Sequence, residues 1–166
     1  MVQWSRTTTT VRGGIAVAYS GGADSTVLLM EEARMRMALT HGAGEASGPP
    51  LLAFHINHGL QDAAAAFESH CEAFCHALSA HLPTKLCVAR IKIALPSGAS
   101  VEAQAREARY DALAAMAQAQ GVGTVLLAQH ADDQIETVLI ALSRGAGLAG
   151  LSGMALEFEH NGVLFA

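Results

Sequence analysis

The residues best placed to do chemistry form one short string, Ser20-Gly21-Gly22-Ala23-Asp24-Ser25. The two glycines carry no Cβ, so the backbone there can turn sharply and approach a ligand closely. Successive N–H groups can then form an anion nest at the start of a following helix, whose dipole favours negative charge. Ser20 and Ser25 add hydroxyl donors. Asp24 would be odd beside bare phosphate, but it suits a site where a cation such as Mg²⁺ bridges phosphates and carboxylate. The Walker pattern GxxxxGK(S/T) is absent. An ordinary glycine turn with Asp24 as a helix cap is the plainer alternative. The complete string, set directly between a strand pattern and a helix pattern, favours the phosphate reading.

Three other segments carry reactive residue types. Phe54-His55-Ile56-Asn57-His58-Gly59-Leu60 places His55 and Asn57 at a strand end, where they could hydrogen-bond a base or a backbone carbonyl equally well. Two histidines alone do not make a metal centre, because zinc sites want three or four ligands. Arg106 and Arg109 share a helix face. They either reach an anionic ligand, which suits a guanidinium fork, or belong to a solvated charged face with Glu102 and Glu107. Asp132, Asp133 and Glu136 open a helix. Capping would explain Asp132. Asp133 and Glu136 share a face and could hold Mg²⁺ or a substrate ammonium, or act as a general base toward an amine. With Asp24, these three are the candidate catalytic acids, and Asp24 and Asp132 the candidate metal ligands.

The elements that position these residues alternate. Gly14 to Tyr19 reads as a buried strand. Asp24 to about Thr40 reads as a helix with an apolar face at Val27, Leu28 and Met35. Residues 41–50 are loop-like. Leu51 to Asn57 is a second strand, and Asp62 can cap a helix to about Ala80. Lys85 to Ile93 is a third strand, and Ser100 can cap an alanine-rich helix that stops near Gly121. Thr124 to Gln129 is a fourth strand, followed by a helix from Asp132 to about Ser143. Residues 144–153 are too glycine-rich for a regular element. Such alternation predicts an α/β fold, a doubly wound parallel sheet with helices on both faces. Ligands of such sheets bind beyond the C-terminal strand ends, where the unusual residues fall. Residues 1–13 read as a flexible lead-in and 14–166 as one domain. A hydrophobic segment begins just before Phe165-Ala166, so the chain reads as a fragment cut inside or soon after its domain.

Composition bounds the function. The 166 residues are 51% hydrophobic and 15% charged, with net charge −5. Disorder does not fit, and neither does a dedicated grip on a phosphate backbone, which wants a basic face. Cys71, Cys75 and Cys87 are an odd set without disulfide-scaffold spacing, and buried thiols are the expectation for the first two. Residues 1–14 lack the apolar core of a secretory signal, and no apolar run approaches the roughly 20 residues of a membrane span. A reducing cytoplasm is expected, without membrane contact. Oligomeric state is open, a homodimer included.

The string SGGADS resembles the signature of the N-type ATP pyrophosphatases, the PP-loop superfamily. Three further blocks narrow the resemblance: FHINHGL from Phe54, EAQAREARY from Glu102, and LAQHADDQIET from Leu127, continuing to RGAGLAGL from Arg144. In order and content these resemble the tRNA(Ile)-lysidine synthetase family over about Ile15 to Met154. The resemblance implies an adenine nucleotide α-hydrolase-like fold and an ATP-dependent ligase. ATP would adenylate C2 of the cytidine at the first anticodon position of a tRNA(Ile) with a CAU anticodon. L-Lysine would then displace AMP to give lysidine. It also implies that Ser20, Gly21, Gly22, Ala23, Asp24 and Ser25 hold ATP, with Asp132, Asp133 and Glu136 as a second acidic cluster for metal, lysine or cytidine. His55, Asn57, Arg106 and Arg109 are further candidates for the nucleotide, the arginines also for RNA. Two departures stand out. Gln61 follows Leu60 where the family usually has arginine. The family's further C-terminal domains, which help hold tRNA, have no counterpart here, so the chain alone is expected to bind ATP better than tRNA. The rival readings are a tRNA-thiolating enzyme, an ATP-dependent amidating synthetase, and a non-catalytic ATP-binding module.

Overall fold

The computed structural model describes residues 14–40, 49–57, 64–91, 101–129 and 155–166, with Ile135, Leu139 and Ser143 from the segment between. Strand β1 (Gly14–Ala18) leads into helix α1 (Ala23–Thr40). Strand β2 (Leu51–Asn57) and helix α2 (Ala64–Ser79) follow, then β3 (Thr84–Arg90), α3 (Val101–Ala119) and β4 (Val122–Leu126). Two short strands, β5 (Phe158–His160) and β6 (Val163–Phe165), close the described chain. Ile135, Leu139 and Ser143 are helical, in the segment where a helix is expected.

The sheet runs β3-β2-β1-β4-β6-β5. Neighbours are parallel except at the edge, where β5 pairs antiparallel with β6. From β1 the chain winds outward to β2 and β3, then crosses back to β4 on the other side of β1. The loops after β1 and β4 therefore flank the point where the winding reverses, the place at which open α/β sheets take ligands.

Side-chain alternation along the strands builds one core on each face. Val17, Leu51 and Ala53 pack with Leu29 and Ala33 of α1 and Cys71 and Cys75 of α2. Ala16, Leu52, Phe54, Val122 and Val125 pack with Tyr110, Leu113, Ala114 and Ala117 of α3 and with Val163 and Phe165. Helices on both faces, with parallel pairing throughout the middle of the sheet, make this a doubly wound, Rossmann-like fold.

Two local expectations are corrected and one is made specific. The buried side of α1 is Leu29 and Ala33, with Leu28 partly buried beside them, whereas Val27 is 60% and Met35 44% exposed. The run Val27-Leu28-Leu29-Met30 is apolar all round the helix, so periodicity cannot choose a face. Glu32 and Arg36 help fix it: Glu32 is buried, Arg36 Nε donates to its Oε1 at 2.8 Å, and Arg36 Nη2 donates to the Ile15 carbonyl at 3.0 Å. Next, β4 begins at Val122 rather than Thr124. Gly14 pairs with Val122 but Ile15 with Thr124, so Gly123 is the extra residue of a bulge; glycine there marks an irregularity inside the strand, not its boundary. Finally, the terminal hydrophobic segment is β6, joined to β5 through Asn161 (φ 49°) and Gly162 (φ 74°). That is the two-residue Asn-Gly turn whose positive φ values match strand twist.

Candidate functional site

Tyr19 leaves β1 with its N–H on the Phe54 carbonyl at 2.8 Å, and the chain then folds into a compact loop over α2. Its hydrogen bonds can be assigned from the donor inventory. The Ser25 hydroxyl donates its one proton to the Gly22 carbonyl at 3.1 Å. It therefore accepts from the Ser20 hydroxyl at 3.0 Å and the Ser20 N–H at 3.2 Å. Ser20 Oγ in turn accepts the Gly22 N–H at 3.3 Å, and the Thr26 hydroxyl donates to the Gly22 carbonyl at 2.8 Å. Ser25 is buried and is the internal tie of the loop, while Ser20, Gly22, Ala23 and Asp24 face solvent.

Gly21 is fixed as glycine twice over. Its φ is +85°, a region side chains rarely adopt, and a Cβ added there would stand 2.9 Å from Cys71 Sγ. The loop thus lies directly on α2. Helix α1 starts at Ala23, so the first-turn N–H groups, which have no acceptor within their own helix, open at the loop with the positive end of the helix dipole. Asp24 occupies that turn. A phosphate chain laid over Gly21 to Asp24 would meet backbone donors, and the Asp24 carboxylate is a hard oxygen ligand for a cation shared with it.

Beneath and beside the loop, β2 presents His55 and Asn57 to α2. His55 is 5% exposed. Its Nδ1 lies 2.9 Å from the Tyr19 carbonyl and 3.5 Å from Cys71 Sγ. Asn57 donates from Nδ2 to Glu68 Oε2 at 2.8 Å. Arg90, at the end of β3, donates to the same carboxylate from Nε at 3.2 Å and also through Nη2. Asn57 and Arg90 hold the Glu68 carboxyl below its ordinary range. Glu68 is the residue that sequence reasoning missed. The only signal was a single acid in an otherwise apolar helix start, AAAF, and neither spacing nor a motif tied it to Asn57 or Arg90.

The thiols behave as buried apolar groups. Cys71 and Cys75 are 0% and 3% exposed, and burial pushes each up to about 11. Burial also raises Cys87.

The structure thus brings His55 against the loop Ser20 to Ser25, with Asn57 two residues further along β2 on Glu68. Arg106 and Arg109 stand in the first half of α3, on the opposite face of the sheet near the same edge. Arg106 is exposed, and Arg109 places its guanidinium carbon 5.5 Å from the Tyr110 ring centre. The Tyr110 hydroxyl is 3.5 Å from Gln129 Nε2, just beyond β4. Asp132, Asp133 and Glu136 lie outside the described residues, as do His58 and the glycine-rich 144–153; Glu102 lies in the first turn of α3. No described helix is long and apolar enough to cross a membrane.

A family model described as the PP-loop domain matches residues 4–165. The chain is 49% identical over 151 residues to a tRNA(Ile)-lysidine synthase of Polaromonas naphthalenivorans, covering 91% of this chain and 42% of that protein. It is 47% identical to that of Burkholderia mallei (87% and 27% covered) and 45% identical to that of Escherichia coli O157:H7 (90% and 31%). The chain therefore spans less than half the length of these curated relatives. Among solved structures, the U34-tRNA thiolase NcsA from Methanococcus maripaludis, with its [4Fe-4S] cluster, shares the fold. The TM-score is 0.65 at 15% identity, over 97% of this chain and 52% of that one.

Proposed function

The chain belongs to the PP-loop family of ATP-binding domains, and on that premise we propose that it is the ATP-using domain of an enzyme that makes lysidine in tRNA(Ile). The observation that carries the reading is the loop Ser20 to Ser25, seated on α2 at the reversal of the sheet, in a chain 43–49% identical to proteins named tRNA(Ile)-lysidine synthase.

The chemistry follows from the leaving group. An amide-like oxygen departs poorly from a pyrimidine ring. The C2 oxygen of the cytidine attacks the α-phosphate of ATP, and pyrophosphate leaves. The lysine ε-amine then forms a bond to C2, the C2–O bond breaks, and AMP departs with the oxygen. A base takes the amine's proton. Gly21, Gly22, Ala23 and Asp24 line the phosphates through backbone donors and the helix dipole, and Ser20 adds its hydroxyl at the loop's exposed side. Asp24, exposed in the first turn of α1, fits a Mg²⁺ bound jointly with the phosphates. Such an ion would neutralise charge building on the pyrophosphate. Asp132, Asp133 and Glu136 are assigned to metal, lysine or proton transfer, and Arg106 and Arg109 to AMP or the RNA strand. The setting is the cytoplasm, with tRNA(Ile) and free lysine as partners.

The cysteines favour this reading over thiolation. Sulfur transfer or cluster binding needs accessible thiolates, whereas Cys71 and Cys75 are buried and held protonated to about pH 11.

The test is incorporation of labelled lysine into tRNA(Ile) bearing a CAU anticodon, with ATP and Mg²⁺. It should be run with this chain and with the chain joined to the remaining length of the Polaromonas relative. ATP-dependent label from either supports lysidine formation. A folded, ATP-binding protein that labels no tRNA in either form sinks it and points to another PP-loop chemistry.

A further inference from the structure

We infer that His55 is a positioning residue for the phosphate loop, acting through the Tyr19–Ser20 peptide and not by touching nucleotide. The inference rests on the ATP-binding reading of the loop.

The protonation pattern is set by the partners. A carbonyl oxygen can only accept, so the His55 Nδ1 that lies 2.9 Å from Tyr19 O carries the proton. Neutral His55 is therefore the Nδ1–H tautomer, and Cys71 Sγ, 3.5 Å from the same nitrogen, cannot donate to it. The imidazole is 5% exposed, with the Tyr19 backbone and α2 around it. Ser20 and Asp24, by contrast, are exposed.

The Tyr19–Ser20 peptide is consequently held at both ends of its dipole. His55 fixes the carbonyl, and Ser25 Oγ accepts the Ser20 N–H at 3.2 Å. One peptide plane further on comes Gly21, whose φ of +85° turns the chain over Cys71. A rotation of the plane would swing the N–H groups that follow and aim the nest elsewhere. Glycine supplies the freedom to make the turn but no preference for this one orientation; His55 and Ser25 supply that preference. The same floor explains the neighbouring small side chain, since Cys71 lies where a larger residue would lift Gly21.

Without the imidazole the Tyr19 carbonyl is a buried acceptor missing a partner, and the loop relaxes to satisfy it. Asparagine presents an N–H donor in nearly the Nδ1 position, so His55→Asn keeps the contact and His55→Ala removes it.

The experiment compares wild type, His55→Asn and His55→Ala by backbone amide hydrogen exchange without ligand and by Mg-ATP titration. In His55→Ala, exchange across residues 19–26 should accelerate about tenfold while α3 and β4 keep their protection. Mg-ATP should bind about tenfold more weakly. His55→Asn should stay within about threefold of wild type on both measures. Wild-type loop exchange and wild-type affinity in His55→Ala would overturn the inference. So would equal damage in His55→Asn and His55→Ala spread over the whole domain, which would make His55 a packing residue. If wild type binds no Mg-ATP while loop exchange still follows the His55 donor, the ATP reading fails and the support of the loop by His55 stands.

Discussion

Two glycine turns end two strands of the same sheet, and they use glycine differently. In the loop after β1, Gly21 combines a φ of +85° with Cys71 Sγ 2.9 Å from where a Cβ would sit. In the hairpin between β5 and β6, Gly162 has a φ of +74° but nothing within 4 Å. The hairpin needs only the handedness of the turn. The loop needs both the handedness and the empty space, because backbone there is pressed onto a helix to leave its other side open. Their supports differ too. The loop rests on polar contacts and thiols, through Ser25, His55 and Cys71. The hairpin docks through rings: Phe158 stacks on Phe165 at 5.2 Å, and Tyr110 meets both edge-on at 5.0 and 5.4 Å. Aromatic pairs of this kind add about 0.5–1.5 kcal/mol each beyond their burial.

The sharpest way to break the comparison is Gly21→Ala. A strained φ and a clash with Cys71 together should cost about 3 kcal/mol of stability, and Mg-ATP binding should be lost. Retained binding in a calorimetric titration would show that the loop does not need its contact with α2. Asp24→Ala tests the open side of the loop. Turnover in the lysine-incorporation assay should fall about a hundredfold, while thermal denaturation moves by no more than about 0.5 kcal/mol, since the side chain is exposed. A parallel loss of both would make Asp24 structural.

The thiols under the loop give a pH signature. Burial raises Cys71 and Cys75 from 9.0 to about 11 in the folded chain. Above pH 9 the unfolded thiols lose protons that the folded ones keep. Their stabilisation is complete below pH 9 and is lost as pH rises through 11, by roughly 1.4 kcal/mol per pH unit for each thiol at most. Burial of the Tyr19 phenol acts with the same sign. Denaturant midpoints should therefore fall between pH 9 and 11, and less steeply in Cys75→Ala; an unchanged slope in that variant would show that its thiol does not report on this core. The smallest effect belongs to the hairpin. Gly162→Ala should cost about 1 kcal/mol and Gly162→Asn less, with Mg-ATP affinity unaltered. A change in affinity would mean that the hairpin and the loop are coupled across the sheet.

Much of this arrangement is legible in the sequence. The strand Leu51 to Asn57 needs no adjustment, because a continuous apolar run bounded by prolines and polar residues has one reading in a parallel sheet. The loop was legible because glycines that free the backbone stand with serine and aspartate in one string, set directly between a strand pattern and a helix pattern. What was not legible depends on contacts far apart in sequence. Nothing local says which side of an all-round apolar α1 is buried, or that Gly123 is a bulge against Gly14 and Ile15. The β5–β6 turn did carry its Asn-Gly signal, but three-residue flanks, one of them Phe-Glu-His, are too short to read as strands. His55 and Asn57 were correctly placed at the strand edge. Their partners, the Tyr19 carbonyl for His55 and Glu68 of α2 for Asn57, are distant in sequence and left no local signal.

The position of β1 in the sheet has a consequence in time. Ala16 pairs with Leu52 on one side and with Val125 on the other. On a ribosome, β1, β2 and β3 can associate early, but β1 stays half-paired while the chain grows from Asn57 to Val122. At about 5–20 residues per second, translation leaves the β4 side of β1 without its strand for several seconds. Non-local pairing of this kind is slow to form and prone to misassociation meanwhile. The β4 side of β1 is thus completed well after β1 itself, and slow codons before Val122 would prolong the interval in which a chaperone could find it.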